Sequence, residues 1–389
     1  MRAYFEKLLD SSQQQKQLPL IFPLLIALFS GAVFSFSLAP YYWWWLAILS
    51  PALLYATLHK RSAKQAFAIG WSYGFGLWFV GAFWLYTSIH VYGDTNAFLS
   101  VCMIAIMALV MGLFTAFQTW VYRRFFPETP LTFAPLWIVF EWAKTWVFTG
   151  FPWLFVGYAF TERLLDGYAP LFGIYAISFV VIVLACALVE VLRKRIFWVI
   201  PSVLLVLGAW GASYIQFVQP KAAKPLSVSL IQGNIPQDLK WLTEYQVRTL
   251  EIYAGLTQSE WGRDLIVWPE SSIPLFQTDI EPFLYAMDAQ AKKNHTAWVT
   301  GIPYWDVAKS HQVGSPLYYN SIMASGSDSS GLYKKQRLVP FGEYIPLSGL
   351  LSWVLPAMQN DISMSGFTRG ESDQKPLLIK GHALAAAIC

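Results

Sequence analysis

The sequence predicts two domains of different class: a polytopic α-helical membrane domain over residues 1–219 and an α/β domain outside the membrane over residues 220–389. Three observations carry this prediction. The chain is 56% hydrophobic and only 13% charged, whereas an ordinary soluble domain carries about 25% charged residues. The shortfall is uneven, because residues 1–219 hold 13 Lys+Arg and 8 Asp+Glu while the shorter stretch 220–389 holds 14 and 15. The pattern also changes at Pro220–Pro225, from long apolar runs to short strands alternating with amphipathic helices. The second part is long enough for a complete core of its own. Neither part carries a basic field that would suggest nucleic acid.

Seven apolar stretches approach the roughly 20 residues that a helix needs to cross a bilayer core: about 18–36, 43–58, 66–88, 98–120, 131–149, 171–192 and 196–217. Tyr41, Tyr42, Trp43, Trp44 and Trp45, where the chain passes from the first to the second, read as an interfacial aromatic belt. The basic start also suits a signal peptide, but about 19 apolar residues is long for one and more spans follow, so the first stretch is read as a retained span. Gly70 and Gly74 form a small-xxx-small pair suited to helix packing. Glu141 and Lys144 share a helix face and are expected to pair near the interface. Gly150-Phe151-Pro152-Trp153 reads as a rigid turn in the headgroup layer, and Cys102 and Cys186 read as buried thiols.

Orientation follows from Lys and Arg. Arg2, Lys7 and Lys16 precede the first span, Lys60, Arg61 and Lys64 follow the second, Arg123 and Arg124 the fourth, and Arg193, Lys194 and Arg195 the sixth. That sets 11 positive residues on one face against Arg163 alone on the other. The positive-inside rule then places the N-terminus in the cytoplasm and residues 220–389 on the far side, the periplasm or outer surface of a bacterium.

Beyond Pro225, residues 226–232 alternate as a strand, about 243–260 read as a helix, and 265–268 form a buried strand. A second helix over about 280–293 precedes a strand at 296–301. Residues 318–324 and 331–334 read as paired strands across a Ser/Gly-rich connector, and 377–379 and 383–388 as closing strands. No Walker loop, Rossmann fingerprint or metal-ligand cluster is present, so no cofactor is expected. His295 and His311 are isolated and read as solvated.

Chemistry concentrates in three residues at strand ends. Glu270 tips the apolar run Leu265-Ile266-Val267-Trp268-Pro269, Lys335 follows Tyr333-Lys334, and Cys389 follows Ala383–Ile388. Singly, each has a plain reading: an exposed acid in a turn, part of a charge run with Lys334 and Arg337, and a core cysteine. Together they are the parts of an acyl-transfer site. A thiol with a pKa of about 8.5 is mostly protonated at neutral pH, so it needs a base, and Glu270 supplies one. Attack on a carbonyl creates an oxyanion, which Lys335 can stabilise; one well-aimed donor is worth about 3 kcal/mol. Glu343 lies close enough in sequence to hold Lys335 charged or to orient Glu270.

In that order, Glu270, Lys335 and Cys389 resemble the Glu-Lys-Cys triad of the nitrilase (carbon–nitrogen hydrolase) superfamily. Seven spans ahead of such a domain resemble the apolipoprotein N-acyltransferase family. Gln232–Trp241, Trp268-Pro-Glu-Ser-Ser, Tyr319-Asn-Ser, Leu338-Val-Pro-Phe-Gly-Glu343, the terminal Ile-Cys, Gly150-Phe-Pro-Trp and Gly173–Phe179 all look like its motifs. The resemblance implies an αββα sandwich and a ping-pong acyl transfer. Cys389 takes the sn-1 chain of a phospholipid, typically phosphatidylethanolamine, as a thioester, and the amine of a diacylglyceryl-cysteine apolipoprotein then receives it. By the same resemblance Glu270 is the base, Lys335 the oxyanion partner, and Glu343 and Trp241 support the site, in a bacterial inner membrane with the catalytic domain periplasmic. No metal or nucleotide is implied.

The family's sequences continue past the cysteine, so the resemblance also implies that a chain ending at Cys389 is C-terminally incomplete and inactive as it stands. The apolar stretch 346–358 has two readings, a segment that dips into the bilayer and guides acyl chains, or an amphipathic helix packed on the domain. Two other readings remain open on sequence: a membrane-tethered amidase of the same superfamily, and a transporter or receptor with an extracytoplasmic module. The second is weakened by how few ionisable residues the spans carry.

Overall fold

The computed structural model describes residues 19–147, 150–219, 225–340, 342–344 and 366–388. Two of the sequence expectations, Cys389 and the stretch 346–358, therefore lie outside the described residues. The chain divides into two compact units, Met1–Gln219 and Pro220–Cys389.

The first unit is helical. Its helices are α1 (Ile21–Phe34), α2 (Leu46–Thr57), α3 (Ala63–Gly81), α4 (Ala97–Phe125), α5 (Pro130–Lys144), α6 (Ile174–Leu192) and α7 (Val199–Ala212). Local sequence sets several starts. Ser62 and Gln65 close a capping box ahead of α3, the Asn96 side chain accepts from Phe98 N at the head of α4, and Thr129 caps α5 with Pro130 in its first turn. Among the described residues, two helices, α4 and α6, are by length and composition long and apolar enough to cross a membrane, while α1, α2 and the stretch Ile196–Ala212 are shorter apolar helices. The expected spans were thus too long in places. An apolar run does not say where the helix begins: Ser35–Ser37 tightens into a 3₁₀ turn, the aromatic cluster 41–45 stays outside α2 with its large rings exposed, and α3 gives way at Gly81 before a π-turn at Thr87–Tyr92.

Polarity along α4 is inverted relative to a helix of a soluble bundle. The buried stripe of α4 is Ser100, Ile104, Ala108, Gly112, Thr115, Ala116, Gln118, Thr119 and Tyr122. Its exposed side carries Phe98, Leu99, Met103, Ile106, Leu109, Val110 and Phe117. Small and polar residues thus face the other helices and large apolar ones face outward, the pattern that helix packing in lipid favours. Glycine permits close approach of α3 and α4, since a Cβ on Gly74 would stand 2.6 Å from Gly112 Cα. Thr119 Oγ1 donates across the same contact to the Ala66 carbonyl at 2.8 Å.

Three basic loops meet at one end of the helices. Arg123 Nε donates to the Arg61 carbonyl at 2.8 Å and its guanidinium pairs with Glu128. His59 Nδ1 lies 2.8 Å from Glu128 Oε2. The buried Glu190 accepts from Tyr55 Oη, Arg193 and Arg195 at 3.0, 2.7 and 3.0 Å.

The Glu141–Lys144 expectation is corrected. Both side chains are buried, and they form no ion pair. Glu141 Oε1 instead accepts from Trp137 Nε1 and Val156 N, each at 3.0 Å. Lys144 Nζ sits 4.9 Å from the centre of the Phe155 ring. The turn at Gly150 brings Phe155 and Val156 back over α5, and this return lies too far along the chain for a helical-spacing argument to see. Cys186 is buried as expected, but Cys102 is only half-buried.

The second unit is built on a mixed five-stranded sheet in sequential order: β1 (Val228–Leu230), β2 (Leu265–Val267), β3 (Ala297–Trp305), β4 (Tyr318–Gly326) and β5 (Gly331–Lys334). The first three strands are parallel, and β3–β4 and β4–β5 are antiparallel. Helices α8 (Thr243–Thr257) and α9 (Glu281–Lys293) contribute Leu250, Tyr253, Met287 and Ala291 to one core with Ile266, Trp298 and Ile302. The alternate side chains Leu265, Ala297 and Val299 pack on the opposite face against Leu377 and Ile379. Those two belong to a hairpin of β6 (Leu377–Ile379) and β7 (His382–Leu384), tied to the sheet through reciprocal bonds of 2.9 Å between Ser330 and Leu378. This is an α/β domain with both sheet faces covered.

Strands β3 and β4 extend beyond their expected ends, whereas 385–388 lie outside the strand expected there. A short helix, α10 (Val307–Val313), was not foreseen; Asp306 caps it and Gly314, at φ 72°, ends it. His295 and His311 are exposed.

Candidate active site

Glu270 stands in the turn that leaves β2. Trp268 N donates to the Val299 carbonyl at 2.8 Å, and Ser272 Oγ lies 2.9 Å from Thr300 Oγ1 and donates to the Gly301 carbonyl at 3.1 Å. These bonds press the turn onto β3 at Gly301. A Cβ there would come within 2.6 Å of the Pro269 carbonyl oxygen and 2.7 Å of Glu270 Cα, so only glycine admits the turn at this height. The Glu270 side chain is 42% exposed.

Lys335 follows β5 directly. The β4–β5 register pairs Ser321 with Lys334, which brings Lys335 beside Asn320, and Lys335 N donates to the Asn320 carbonyl at 2.8 Å. The Lys335 side chain is 3% exposed. Its ammonium lies 2.9 and 3.0 Å from the two oxygens of Glu343 and 3.6 Å from Glu270 Oε1. Glu343 is buried and held in turn, with Oε2 accepting from Val339 N at 2.8 Å. A charge this deep needs partners, and Lys335 has two carboxylates.

The Asn320 amide completes the group. Its Nδ2 donates to Glu270 Oε1 at 2.8 Å and to Glu343 Oε1 at 2.9 Å. Among the described residues, the second oxygen of Glu270 has no hydrogen-bond partner. The cluster thus presents one fixed carboxylate with an open oxygen, next to a buried cation whose charge is set by a second carboxylate. Such a pair can accept a proton and stabilise a developing negative charge nearby.

Of the five residues singled out in the sequence, Glu270, Lys335 and Glu343 come together. Trp241 is half-buried in the loop before α8, with Lys240 Nζ 5.7 Å from its ring centre. It is Lys240 that reaches the site, donating to the Glu270 backbone carbonyl at 3.4 Å. Burial lowers the Lys240 ammonium below its ordinary value, against the pull of the Glu270 carboxylate. Cys389 is outside the described residues; its neighbour Ala386 packs on the core beside Leu377 and Ile379. Sequence reasoning gave Asn320 and Lys240 no role, although both lie in the motifs named above.

Comparison with known proteins gives a concordant result. The family described as "Apolipoprotein N-acyltransferase N-terminal domain" matches residues 30–187, and the family described as "Carbon-nitrogen hydrolase" matches residues 227–389. A Coxiella burnetii protein named apolipoprotein N-acyltransferase is 37% identical over 376 residues, covering 94% of this chain and 76% of the relative. Proteins of the same name from Azotobacter vinelandii and Pseudomonas syringae pv. tomato are 37% and 38% identical, again over 94% of this chain and over 72% and 73% of their own lengths.

Proposed function

The chain belongs to the apolipoprotein N-acyltransferase family, and from that premise we propose how it works as an acyltransferase: an acyl chain passes from a phospholipid, through a thioester on Cys389, to the N-terminal amine of a diacylglyceryl-cysteine apolipoprotein. The observation that carries this reading is the buried Lys335 ammonium between Glu343 and a Glu270 carboxylate whose second oxygen is open among the described residues.

The steps follow from those groups. Glu270 takes the Cys389 thiol proton as sulfur attacks the sn-1 ester carbonyl, and the oxyanion that forms is stabilised by Lys335. The tetrahedral adduct collapses with cleavage of the ester C–O bond. The lysophospholipid alkoxide leaves with the proton that Glu270 carries. In the second half, Glu270 takes a proton from the incoming amine as nitrogen attacks the thioester, and returns it to the departing sulfur. Glu343 keeps Lys335 in its charged form throughout. Trp241, beside Lys240, is assigned a supporting role at the rim. Phosphatidylethanolamine is the proposed donor.

The first unit is read as the membrane domain, residues 1–219, with seven spans and a cytoplasmic N-terminus. Residues 220–389 are read as the periplasmic catalytic domain with a nitrilase-like αββα sandwich, in a bacterial inner membrane. Two observations support this. Large apolar side chains cover the outer side of α4 while its small and polar ones face inward. The basic loops at 59–61, 123–128 and 190–195 gather at one end of the bundle, the arrangement the positive-inside rule demands of a cytoplasmic face.

The test uses the full-length membrane protein, phosphatidylethanolamine labelled in its sn-1 chain, and a diacylated lipopeptide. Mass spectrometry is expected to find a hydroxylamine-sensitive acyl adduct on Cys389, followed by label in amide linkage on the lipopeptide. Glu270→Gln and Lys335→Met are expected to form no adduct. Label released only as free fatty acid, or an adduct that survives both substitutions, would overturn the reading.

A further inference from the structure

Asn320 spends its side chain in an unusual way. It is 5% exposed, and both hydrogen bonds of its amide nitrogen go to acids, Glu270 and Glu343. Ionised carboxylates only accept, so the nitrogen must face them. That orientation turns Oδ1 away, and among the described residues Oδ1 is buried with no hydrogen-bond partner. A buried acceptor without a donor costs the fold stability. The cost is accepted in exchange for two charge-assisted bonds to carboxylates. What explains the asparagine is where its two N–H groups point. Through its backbone carbonyl Asn320 also receives the Lys335 N–H, so this residue is bonded to each of the three charged residues.

We propose that Asn320 is a positioning residue for the acyl transfer. Its amide fixes Oε1 of Glu270 and so holds that carboxylate in one orientation. It also gives Glu270 and Glu343 a common donor beside a single ammonium. The titratable groups facing the amide are Glu270 from the turn after β2, Glu343 from the 339–344 turn and Lys335 at the end of β5; Lys240, ahead of α8, reaches the Glu270 carbonyl. This inference rests on the site reading above and adds a residue to which that reading gives no task.

The test compares Asn320→Asp and Asn320→Ala with the wild type in the full-length protein, following single-turnover acylation of Cys389 by labelled phosphatidylethanolamine across pH. Asp has nearly the same shape but replaces the shared donor with an acceptor. At neutral pH its acylation rate is expected to fall about 100-fold with KM for phospholipid changed less than about three-fold, the mark of lost orientation rather than lost binding. On acidification the ratio of the Asp variant to the wild type is expected to rise, because a protonated carboxyl is again a donor. Asn320→Ala is expected to lose the same rate without that recovery, with the rate taken per folded molecule. An Asp variant with the wild-type rate and pH profile overturns the proposal. So does a loss that merely follows the amount of folded protein in both variants. Glu270→Gln is measured alongside: if it still acylates, the site reading and this inference both fall, whereas an inactive Glu270→Gln beside a normal Asn320→Asp overturns only the role of Asn320.

Discussion

Lys335 and Glu343 form a two-oxygen ion pair inside the second unit, at 2.9 and 3.0 Å, while Glu270 stands further off at 3.6 Å. The asymmetry separates two jobs. The near carboxylate neutralises the buried ammonium, and the far one keeps an open oxygen and a 42% exposed side chain. Breaking the near pair therefore tests more than charge. Glu343→Ala leaves the buried cation only the more distant Glu270 carboxylate and is expected to cost about 3 kcal/mol of stability. Glu343→Gln keeps an acceptor for Lys335 and Val339 N but no charge. It is expected to fold and to lose acylation rate by about 100-fold, the loss typical of removing a group that supports oxyanion stabilisation. Thermal unfolding together with single-turnover acylation separates the two effects; a Gln variant of normal rate would show that the charge of Glu343 is not needed.

Gly301 offers a test of geometry without touching a charged group. A methyl there meets backbone atoms of Pro269 and Glu270 at 2.6–2.7 Å, and backbone cannot swing aside as a long side chain can. Gly301→Ala is expected to push the turn off β3 while the nine-residue β3–β4 pairing survives. Displacing a base by about 1 Å costs on the order of 100-fold in rate. Circular dichroism close to wild type combined with that loss is the expected result. Full activity would mean that the position of Glu270 tolerates more movement than the packing suggests.

The acids and the lysine of this site were legible because each is carried by its own local signal: an apolar strand ending in Trp-Pro-Glu, and a short run from Lys335 to Glu343. Asn320 was not, although it lies at the centre of them. An asparagine within a strand pattern announces no chemistry. Its partners are supplied by register, which sets it beside Lys335, and by the turn after β2, 50 positions away. The same limit explains the error at Glu141. Spacing along a helix suggested Lys144 as its partner, but the partner groups came from Trp137 and from Val156 in a returning loop. Helix ends in the first unit were blurred for a different reason. Hydropathy reports which residues avoid water, and aromatic residues in a turn avoid it as well as those in a helix.

In the first unit, the α3–α4 contact predicts a sharp size limit. Gly74 and Gly112 face each other so closely that a Cβ on Gly74 would lie 2.6 Å from Gly112 Cα and 2.8 Å from its carbonyl oxygen. Both neighbours are backbone. Gly74→Leu is expected to force the helices apart and break the nearby Thr119–Ala66 bond. Overpacking of this kind typically costs about 1–3 kcal/mol. The expected readout is a lower temperature of thermal aggregation in detergent, with Gly255→Ala, where nothing stands within 4 Å of a new Cβ, as the neutral comparison. Equal stability of the two variants would mean that the helices can separate at little cost.

Asp306 carries two loads that substitution can divide. Its carboxylate accepts from Lys334 Nζ at 2.7 Å and caps α10 through Lys309 N at 3.1 Å. The Lys334 bond is the chief reason its carboxyl lies below the ordinary aspartate value; burial opposes the shift and the cap adds to it. Asp306→Asn retains the cap and loses the charge, which for a mostly screened pair is worth about 0.5–1 kcal/mol. Asp306→Ala loses both, and a missing cap adds about 1 kcal/mol. The sign of the pH dependence follows. A carboxyl depressed by folding stabilises fully above its ordinary value, and that contribution disappears as pH falls through the lower, folded value. The wild type is therefore expected to converge on the Asp306→Asn variant in acid, while the Asp306→Ala variant stays below both because its cap is gone at every pH. Hydrogen exchange of the α10 amides reads this directly. A gap between the wild type and Asp306→Asn that is unchanged in acid would mean that the Lys334 pair contributes nothing to holding the helix.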